Sequence, residues 1–410
     1  MDHATQVKVL KELFRQLDNN VNVDAGVQLI NPTSSYTDTD LATREWRTFF
    51  CNHPQLIGLT GDLPKPDSYM TVDDFGVSVL ATRDKGGKFR AFVNACRHRG
   101  VRVAATGRGQ SKRFQCPFHH WTYSNTGDLL GIPRMQDFGE IDRSCHSLIE
   151  LPAEERFGQL WIHPQADGHL DVTELLGDLG TEMNGWNVQD MVYMGETVID
   201  KKLNWKLAND TFGETYHFSR LHQNTLGQLF HSDALAYETF GRNHRFVFPT
   251  QTIDSMREKP EEEWSIGRVA NVLYYLFPNI QFNVGPRSVS LIRIYPAKDD
   301  PSRCITRVSH YFSQHDIDAA NEVDRTRITS ENVYDSNIRK GKVTVSLEAT
   351  MEIFDSSIEK EDYAMGETTQ QAAESGALKH LLFGRNEPAL HHYHNTFRAA
   401  LDMPPLERAP

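Results

Sequence analysis

Cysteine is scarce. Five residues in a chain of 410 are too few to staple a protein of this length, which excludes a disulfide scaffold. Basic charge is also short: 43 Lys and Arg stand against 55 Asp and Glu, a formal net charge of −12. That balance argues against nucleic acid or an anionic membrane as the principal partner. Nowhere does an apolar run reach the roughly 18 residues that a membrane span needs. The opening residues, Met1 to Leu10, lack the basic start and apolar stretch of a secretory leader, and Asp2 and Glu12 weigh against a transit peptide. No internal repeat or low-complexity tract interrupts the chain. Work in reducing cytoplasm is the expectation.

What is present is enough apolar material, 39%, for two or three domains with real cores. Val7, Leu10, Leu13, Phe14 and Leu17 recur at helical spacing, so the chain opens with an amphipathic helix. After the polar stretch Asn31 to Asp40, Thr39 or Asp40 is the expected cap of a second helix running to Phe50. From about Gly61 to Pro164 the texture is β. The runs Gly76 to Arg83 and Lys88 to Asn94 flank the hairpin signal Asp84-Lys-Gly-Gly87, and a second hairpin is expected over Trp121 to Leu130. Gln159 to His163 reads as a strand. A polar segment with helical spacing around Leu175, Leu176 and Leu179 leads to a second region. There Val272–Phe277, Ile280–Val284, Ser288–Tyr295 and Arg307–Phe312 read as strands of an antiparallel sheet. Helical patterns follow over Asp316–Arg327, Ser346–Gln371 and Leu390–Leu401. Helices gathered on one side of an antiparallel sheet make the fold class α+β.

Two stretches concentrate chemistry. The first reads Cys96-x-His98 and, after residues 99–115, Cys116-x-x-His119. One zinc ion accepts mixed sulfur and nitrogen ligands, but zinc loops usually keep like ligands together, and here each loop offers one of each. That pairing suits two irons bridged by sulfide, one held by Cys96 and Cys116, the other by His98 and His119. It is the ligand set of a Rieske [2Fe–2S] centre. Gly100 allows a sharp first loop and Pro117 stiffens the second; both loops are expected at hairpin tips. Cys51, Cys145 and Cys304 have no such context and are expected as small buried apolar residues.

The second stretch runs from Asn204-Trp-Lys206 through Glu214-Thr-Tyr-His217 to His222. His217 and His222 lie about 140° apart on a straight helix, so a bend or π-turn near Ser219 is needed to aim both at one ion. Two His with one carboxylate leave positions open on a metal, as in non-haem Fe(II) sites that bind O2. Among 18 His a pair alone is weak evidence. It gains weight from the first motif, because a centre that moves single electrons needs a recipient.

Together these motifs resemble the large (α) subunit of Rieske non-haem iron oxygenases of the ring-hydroxylating type, over nearly the whole chain and in the same domain order. The resemblance implies a helical segment (1–50) packed on the catalytic domain, a small antiparallel-β Rieske domain (51–165), and a larger catalytic domain with an antiparallel sheet flanked by helices (166–410). It implies a mononuclear Fe(2+) held by His217, His222 and Asp362, the last from Glu361-Asp362. Asp355, Glu359 and Glu361 are neighbouring carboxylates that compete for that assignment. It further implies O2 as co-substrate, electrons from NAD(P)H through a ferredoxin or flavin reductase, and a homotrimer, in some relatives with a small β subunit. Glu214, where the family more often has Asp, takes the role of bridge between His217 and a cluster imidazole, His119, of the next subunit. Asp210, one turn earlier, is then an outer acceptor or a cap.

The implied reaction is hydroxylation, dihydroxylation or demethylation of a small organic substrate. An aromatic one is favoured. A quaternary ammonium compound is the alternative, although relatives of that kind tend to carry Cys beside the ligands, where Thr215 and Phe218 stand here. Phe212 and Tyr216 are candidate pocket walls, as are Leu226, Phe230, Phe277, Ile280, Phe282 and Tyr295. Arg287 and Arg293 are candidate partners of a substrate carboxylate. The cluster of His391, His392 and His394 reads as a packing or surface feature. The rival functions are a Rieske electron carrier with no second metal and a zinc-stapled interaction protein.

Overall fold

The computed structural model describes residues 1–298, 300–322 and 346–410. The chain divides into two compact units. One comprises Glu45–Leu175 with Asn187–Val192, the other Met1–Arg44, Leu176–Trp186 and Tyr193–Pro410.

The smaller unit is built from short antiparallel strands. A five-stranded sheet runs in the order Glu150–Leu151, Phe89–Val93, Val79–Arg83, Ser68–Val72, Arg108–Gln110. Its central hairpin is the expected one, with Arg83 opposite Phe89. Asp84 Oδ1 organises the turn by accepting from the Gly86 and Lys88 amides at 2.8 and 2.9 Å, and Gly87 supplies the positive φ of +83°. A second sheet joins Ala153–Arg156, Gln159–Ile162 and Gln55–Leu59, and a third joins Arg113–Gln115, Thr122–Ser124 and Leu129–Gly131. Leu80, Phe92, Phe114, Trp121, Tyr123 and Leu129 bury a core that also encloses Cys96 and Cys116.

Only one of the two ligand loops lies at a hairpin tip. Residues 116–121 do link the paired strands Arg113–Gln115 and Thr122–Ser124. The first loop instead leaves Phe89–Val93 and arrives at Arg108–Gln110, strands that are not neighbours. Turn residues report a change of direction, whereas strand adjacency is decided by distant pairing. The buried Asn94 side chain holds this longer crossing. It donates to the Ala104 carbonyl at 2.9 Å and accepts from the Val103 and Ala104 amides at 3.1 and 3.0 Å.

The larger unit is organised on a seven-stranded antiparallel sheet. Ala236–Phe240, Asn243–Pro249, Ala270–Leu276, Ile280–Val284, Ser288–Ala297 and Asp300–Ser313 form a meander, and Met191–Lys201 adds to the last of these. The four strands named from periodicity are all here, and they are buried almost throughout, which gives them continuous rather than alternating apolar patterns. The helix Trp205–Asp210 packs against the last two strands of the meander, and Tyr363–Glu374 packs against that helix. The opening helix, His3–Asn19, lays Leu10, Leu13 and Phe14 against the far edge of the sheet.

Other local expectations are revised. The second helix spans Thr39–Glu45, and its cap is neither Thr39 nor Asp40. Asp38 accepts from the Asp40 and Leu41 amides, and a π-helical turn, Trp46–Cys51, continues the segment. Of the unassigned cysteines only Cys304 is buried; Cys51 is half-buried, and Cys145 is exposed and donates to Asp142. The helix expected over Asp316–Arg327 is seen as Gln314–Glu322; residues 323–327 lie outside the described residues. The helical run from Ser346 is interrupted. Leu347–Ser357 and Tyr363–Glu374 are α-helical, but Ile358–Asp362 between them is a π-turn. No helix among the described residues is long and apolar enough to cross a membrane.

One ion pair ties the smaller unit together. Arg83 forks onto Glu155 at 2.8 and 2.9 Å, and Thr60 donates to the same carboxylate at 2.7 Å. Burial pushes the Glu155 carboxyl up, but Arg83 and Thr60 outweigh it and hold the group below its usual range. The stabilisation is therefore present above the ordinary carboxylate pKa and is lost as pH falls through the lowered one. Glu155→Gln should cost about 3 kcal/mol, because it leaves a mostly buried guanidinium unpaired. Denaturant unfolding at neutral pH should show that loss, and acid titration of the variant should show a smaller loss below pH ~4.5 than the parent does.

Candidate metal centres

In the larger unit the segment after Asp210 is a chain of turns rather than a bent helix. Its carbonyls close locally, with the Leu221 amide on His217 O at 2.8 Å and the Thr225 amide on His222 O at 2.9 Å. This folding sets the His217 and His222 rings 5.0 Å apart at 62°. Each ring is oriented by a carboxylate on its Nδ1, His217 by Glu214 and His222 by Glu361. Glu214 also accepts from the His217 amide at 3.1 Å, and Thr225 donates to Glu361 at 2.7 Å. Both Nε2 atoms are thereby left to face Asp362, whose Oδ1 lies 3.3 Å from His217 and 3.0 Å from His222.

Asp362 arrives there at the end of the π-turn, a device that rotates the following face of a helix and recurs at functional sites. Among the described residues, this is the one group of three metal-binding side chains that converges in this way, with the donor atoms all within 4.8 Å of one another. The competing carboxylates are engaged elsewhere. Asp355 pairs with His310, Glu359 with Lys201 at 3.4 Å, and Glu361 with His222.

Electrostatics make the group a collector of positive charge. Burial works against charged His217, but Asp362 and Glu214 overcome it and raise the imidazole to about 10. Burial likewise opposes charge on Asp362, and the two imidazoles still hold it below its usual range. The neighbouring acids thus keep protons on the two imidazoles, which a divalent ion would displace. The donor set, the open side and the outer carboxylates fit a two-His, one-carboxylate metal site.

The centre opens into a cavity of about 460 Å³. One wall is the sheet, where two rows of residues cross adjacent strands. Phe246, Leu273, Asn283, Ser290 and His310 are successive cross-strand partners, and Phe248 pairs with Asn271 and Ser288 with Phe312 in the next row. The facing wall carries Thr350, Phe354, Ile358 and Asp362, four apart and so on one helical stripe. Phe212, Phe218, Leu226 and Phe230 close the side.

Phe212, Leu226 and Phe230 meet the expectation. Phe277, Ile280, Phe282 and Tyr295 are buried but do not line this cavity, and Tyr216 is 68% exposed. Arg287 and Arg293 are occupied by Asp316 and Glu196. Asp210 accepts from Tyr36 at 2.8 Å and pairs with His394 at 2.9 Å, so the C-terminal histidine cluster packs.

In the smaller unit the two Cys loops are twins. In each, the residue four after Cys donates to the Cys carbonyl, Gly100 to Cys96 at 2.8 Å and His120 to Cys116 at 2.9 Å. Each Cys amide in turn donates to the fifth residue, Val101 or Trp121, at 2.8 Å. Gly100 and His120 occupy matching positions with φ of +75° and +59°. The thiols are buried, Cys96 meets the Tyr123 hydroxyl at 3.3 Å, and the His98 and His119 rings sit 4.7 Å apart. His98 Nδ1 is buried without a partner, and a buried imidazole nitrogen is seldom left so. That orphan, the two thiols and the twin loops fit a cluster held from both sides.

The sequence profile described as "Ring hydroxylating alpha subunit (catalytic domain)" matches residues 188–403, and that of the "Rieske [2Fe-2S] domain" matches 53–148. The chain belongs to the ring-hydroxylating α-subunit family. Members are oxidoreductases carrying a Rieske cluster and a mononuclear iron. The chain is 29% identical over 203 residues to a glycine betaine monooxygenase oxygenase subunit of Chromohalobacter salexigens, covering 49% of this chain and 45% of that protein. It is 24% identical over 381 residues to the chloroplastic choline monooxygenase of Spinacia oleracea, covering 88% and 76%. The chain spans about half the length of several curated relatives it matches. Its fold is shared with the quaternary ammonium Rieske monooxygenase CntA in complex with L-carnitine, at 19% identity and a TM-score of 0.71, covering 92% and 96%.

Sequence reasoning placed the His pair of this ring-hydroxylating subunit and Glu214 beside His217, but missed what orients His222. Glu361 was legible only as one acid among several, because its partner His222 is 139 residues away. Glu361→Gln should weaken Fe(2+) affinity about tenfold or more, as removal of such outer carboxylates does, and leave the cluster's visible absorption unchanged. Equilibrium dialysis against iron with a spectrum of the same sample checks both. In the Rieske loops, His120→Gly should retain the cluster and His120→Val should lose it, because a β-branched residue resists that left-handed backbone.

Proposed function

We propose that this chain is the terminal oxygenase component of a system that hydroxylates a small apolar, aromatic substrate with O2 and electrons supplied by a reductase or ferredoxin. One observation carries the reading: His217, His222 and Asp362 converge with an open side on a cavity to which seven phenylalanines contribute. Cys96 and Cys116 would hold one iron of the cluster and His98 and His119 the other, while His217, His222 and Asp362 would hold the mononuclear iron. When bound, the cluster passes single electrons and the ferrous ion supplies O2 chemistry.

The chain's own residues do the rest. Glu214 and Glu361 fix the imidazole tautomers, so that both Nε2 atoms are available as neutral donors. Phe212, Phe218, Phe230, Phe248 and Phe354 exclude water and receive an apolar ring. Glu214 is read as the bridge by which His217 communicates with a cluster imidazole of a second copy in a homotrimer. Its contact with His217 Nδ1 supports that role.

A quaternary ammonium substrate is the second reading. It is favoured by the names of the relatives and by phenyl faces that attract a cation. The rival of another class is an electron carrier with an empty second site. Metal analysis should give about three irons per chain for the oxygenase, the sum of cluster and mononuclear site, and about two for Asp362→Ala. Equal iron in both proteins would favour the carrier. Glu214→Gln, loaded with excess Fe(2+) to offset the weaker affinity that losing its contact with His217 Nδ1 brings, should slow reoxidation of the reduced cluster by substrate and O2 at least tenfold; an unchanged stopped-flow rate would remove Glu214 from the path.

A further inference from the structure

The cavity wall is not uniformly apolar. Along the first cross-strand row the residues change from Phe246 and Leu273 to Asn283, Ser290 and His310. The polar end is backed by a chain of hydrogen bonds running out of the cavity. Ser290 Oγ lies 3.0 Å from His310 Nδ1, His310 Nε2 lies 2.8 Å from Asp355 Oδ1, and Thr197 donates to Asp355 Oδ2 at 2.5 Å. Ser290 and His310 are almost wholly buried, at 2% and 3% exposed, and both line the cavity. Three buried polar side chains in series serve no need of the fold that an apolar set would not meet at lower cost.

The chain has a direction. A carboxylate only accepts, so Asp355 takes the Thr197 hydroxyl proton on one oxygen and the His310 Nε2–H on the other. In the neutral ring Nδ1 is then an acceptor and takes the Ser290 proton. Ser290 is left facing the cavity with its lone pairs. Asp355 stands seven residues before Asp362, roughly 10 Å along a helix, so this acceptor is remote from the iron ligands.

We propose that Ser290, positioned by His310 and Asp355, anchors a hydrogen-bond donor on the substrate, so that the preferred substrates are aromatic compounds bearing a hydroxyl or N–H group. A phenol or aryl amine would point its donor at Ser290 Oγ and present its ring toward the iron. A trimethylated nitrogen has no proton to give and gains nothing there. This inference deepens the hydroxylating function proposed above and rests on it.

The test is a binding series on the iron-loaded protein under anaerobic conditions, by titration calorimetry, with 2-naphthol, 2-methoxynaphthalene and phenyltrimethylammonium. The naphthol should bind about tenfold tighter than its methyl ether, the worth of one net hydrogen bond, and tighter than the quaternary cation. Ser290→Ala should abolish the preference, and Ser290→Thr, which keeps the hydroxyl, should retain it. His310→Gln should reduce it. Unchanged cluster absorption and iron content in each variant will show that the fold is intact. The proposal is overturned if ether and naphthol bind equally, if Ser290→Ala keeps the preference, if the cation binds best, or if no member binds. Oxygenated product with a reductase is scored separately: a naphthol preference with no product from any compound would retain the anchor and remove the hydroxylating function.

Discussion

The larger unit depends on how two imidazoles are turned. A histidine side chain presents two nitrogens, and only when one is committed elsewhere does the other become a dependable ligand. Glu214 and Glu361 make that commitment from opposite directions, the first from the same run of turns and the second from a helix 139 residues onward. The sheet, the turns after Asp210 and the C-terminal helices must all be in register for both contacts to exist together. Asp362 follows from the same register, since it is the neighbour of Glu361 at the end of the π-turn.

The smaller unit solves a similar problem with different means. It encloses its two thiols in a buried core, repeats one turn twice and lets the backbone amides close each copy. Trp121 stacks on His98 with centroids 5.1 Å apart and belongs to the same buried cluster as the two thiols. The ligand-bearing loops are therefore supported by packing from within and by hydrogen bonds along their own length.

How much of this could be read in advance follows the range of the interactions. The Cys and His loops were legible because their chemistry is local: spacing, Gly100 and Pro117 are visible in a few residues. The central strands were legible because burial on both faces leaves long apolar runs. The strands Met191–Lys201, Ala236–Phe240 and Asn243–Pro249 were missed, the first being only half-buried along most of its length. The cavity was read poorly. Phe277 and Phe282 look as suitable as Phe246 and Phe248, but the sheet has two faces, and only strand pairing tells which residues share one with His310. Asp355 appeared as a rival ligand when it is the inner partner of a histidine that no motif marked.

The π-turn at Ile358–Asp362 carries a further consequence. It works as a one-residue phase shift between two lengths of regular helix: Thr350, Phe354 and Ile358 keep their own azimuth upstream, and Asp362 takes its bearing from the extra residue. Winding those same five residues as regular α-helix, with none removed, would swing every downstream side chain by about 100°. The upstream stripe would remain in place and the carboxylate would face away from the imidazoles. The wide turn itself, more than side-chain identity, is therefore what this stretch must preserve as the cavity drifts toward new substrates.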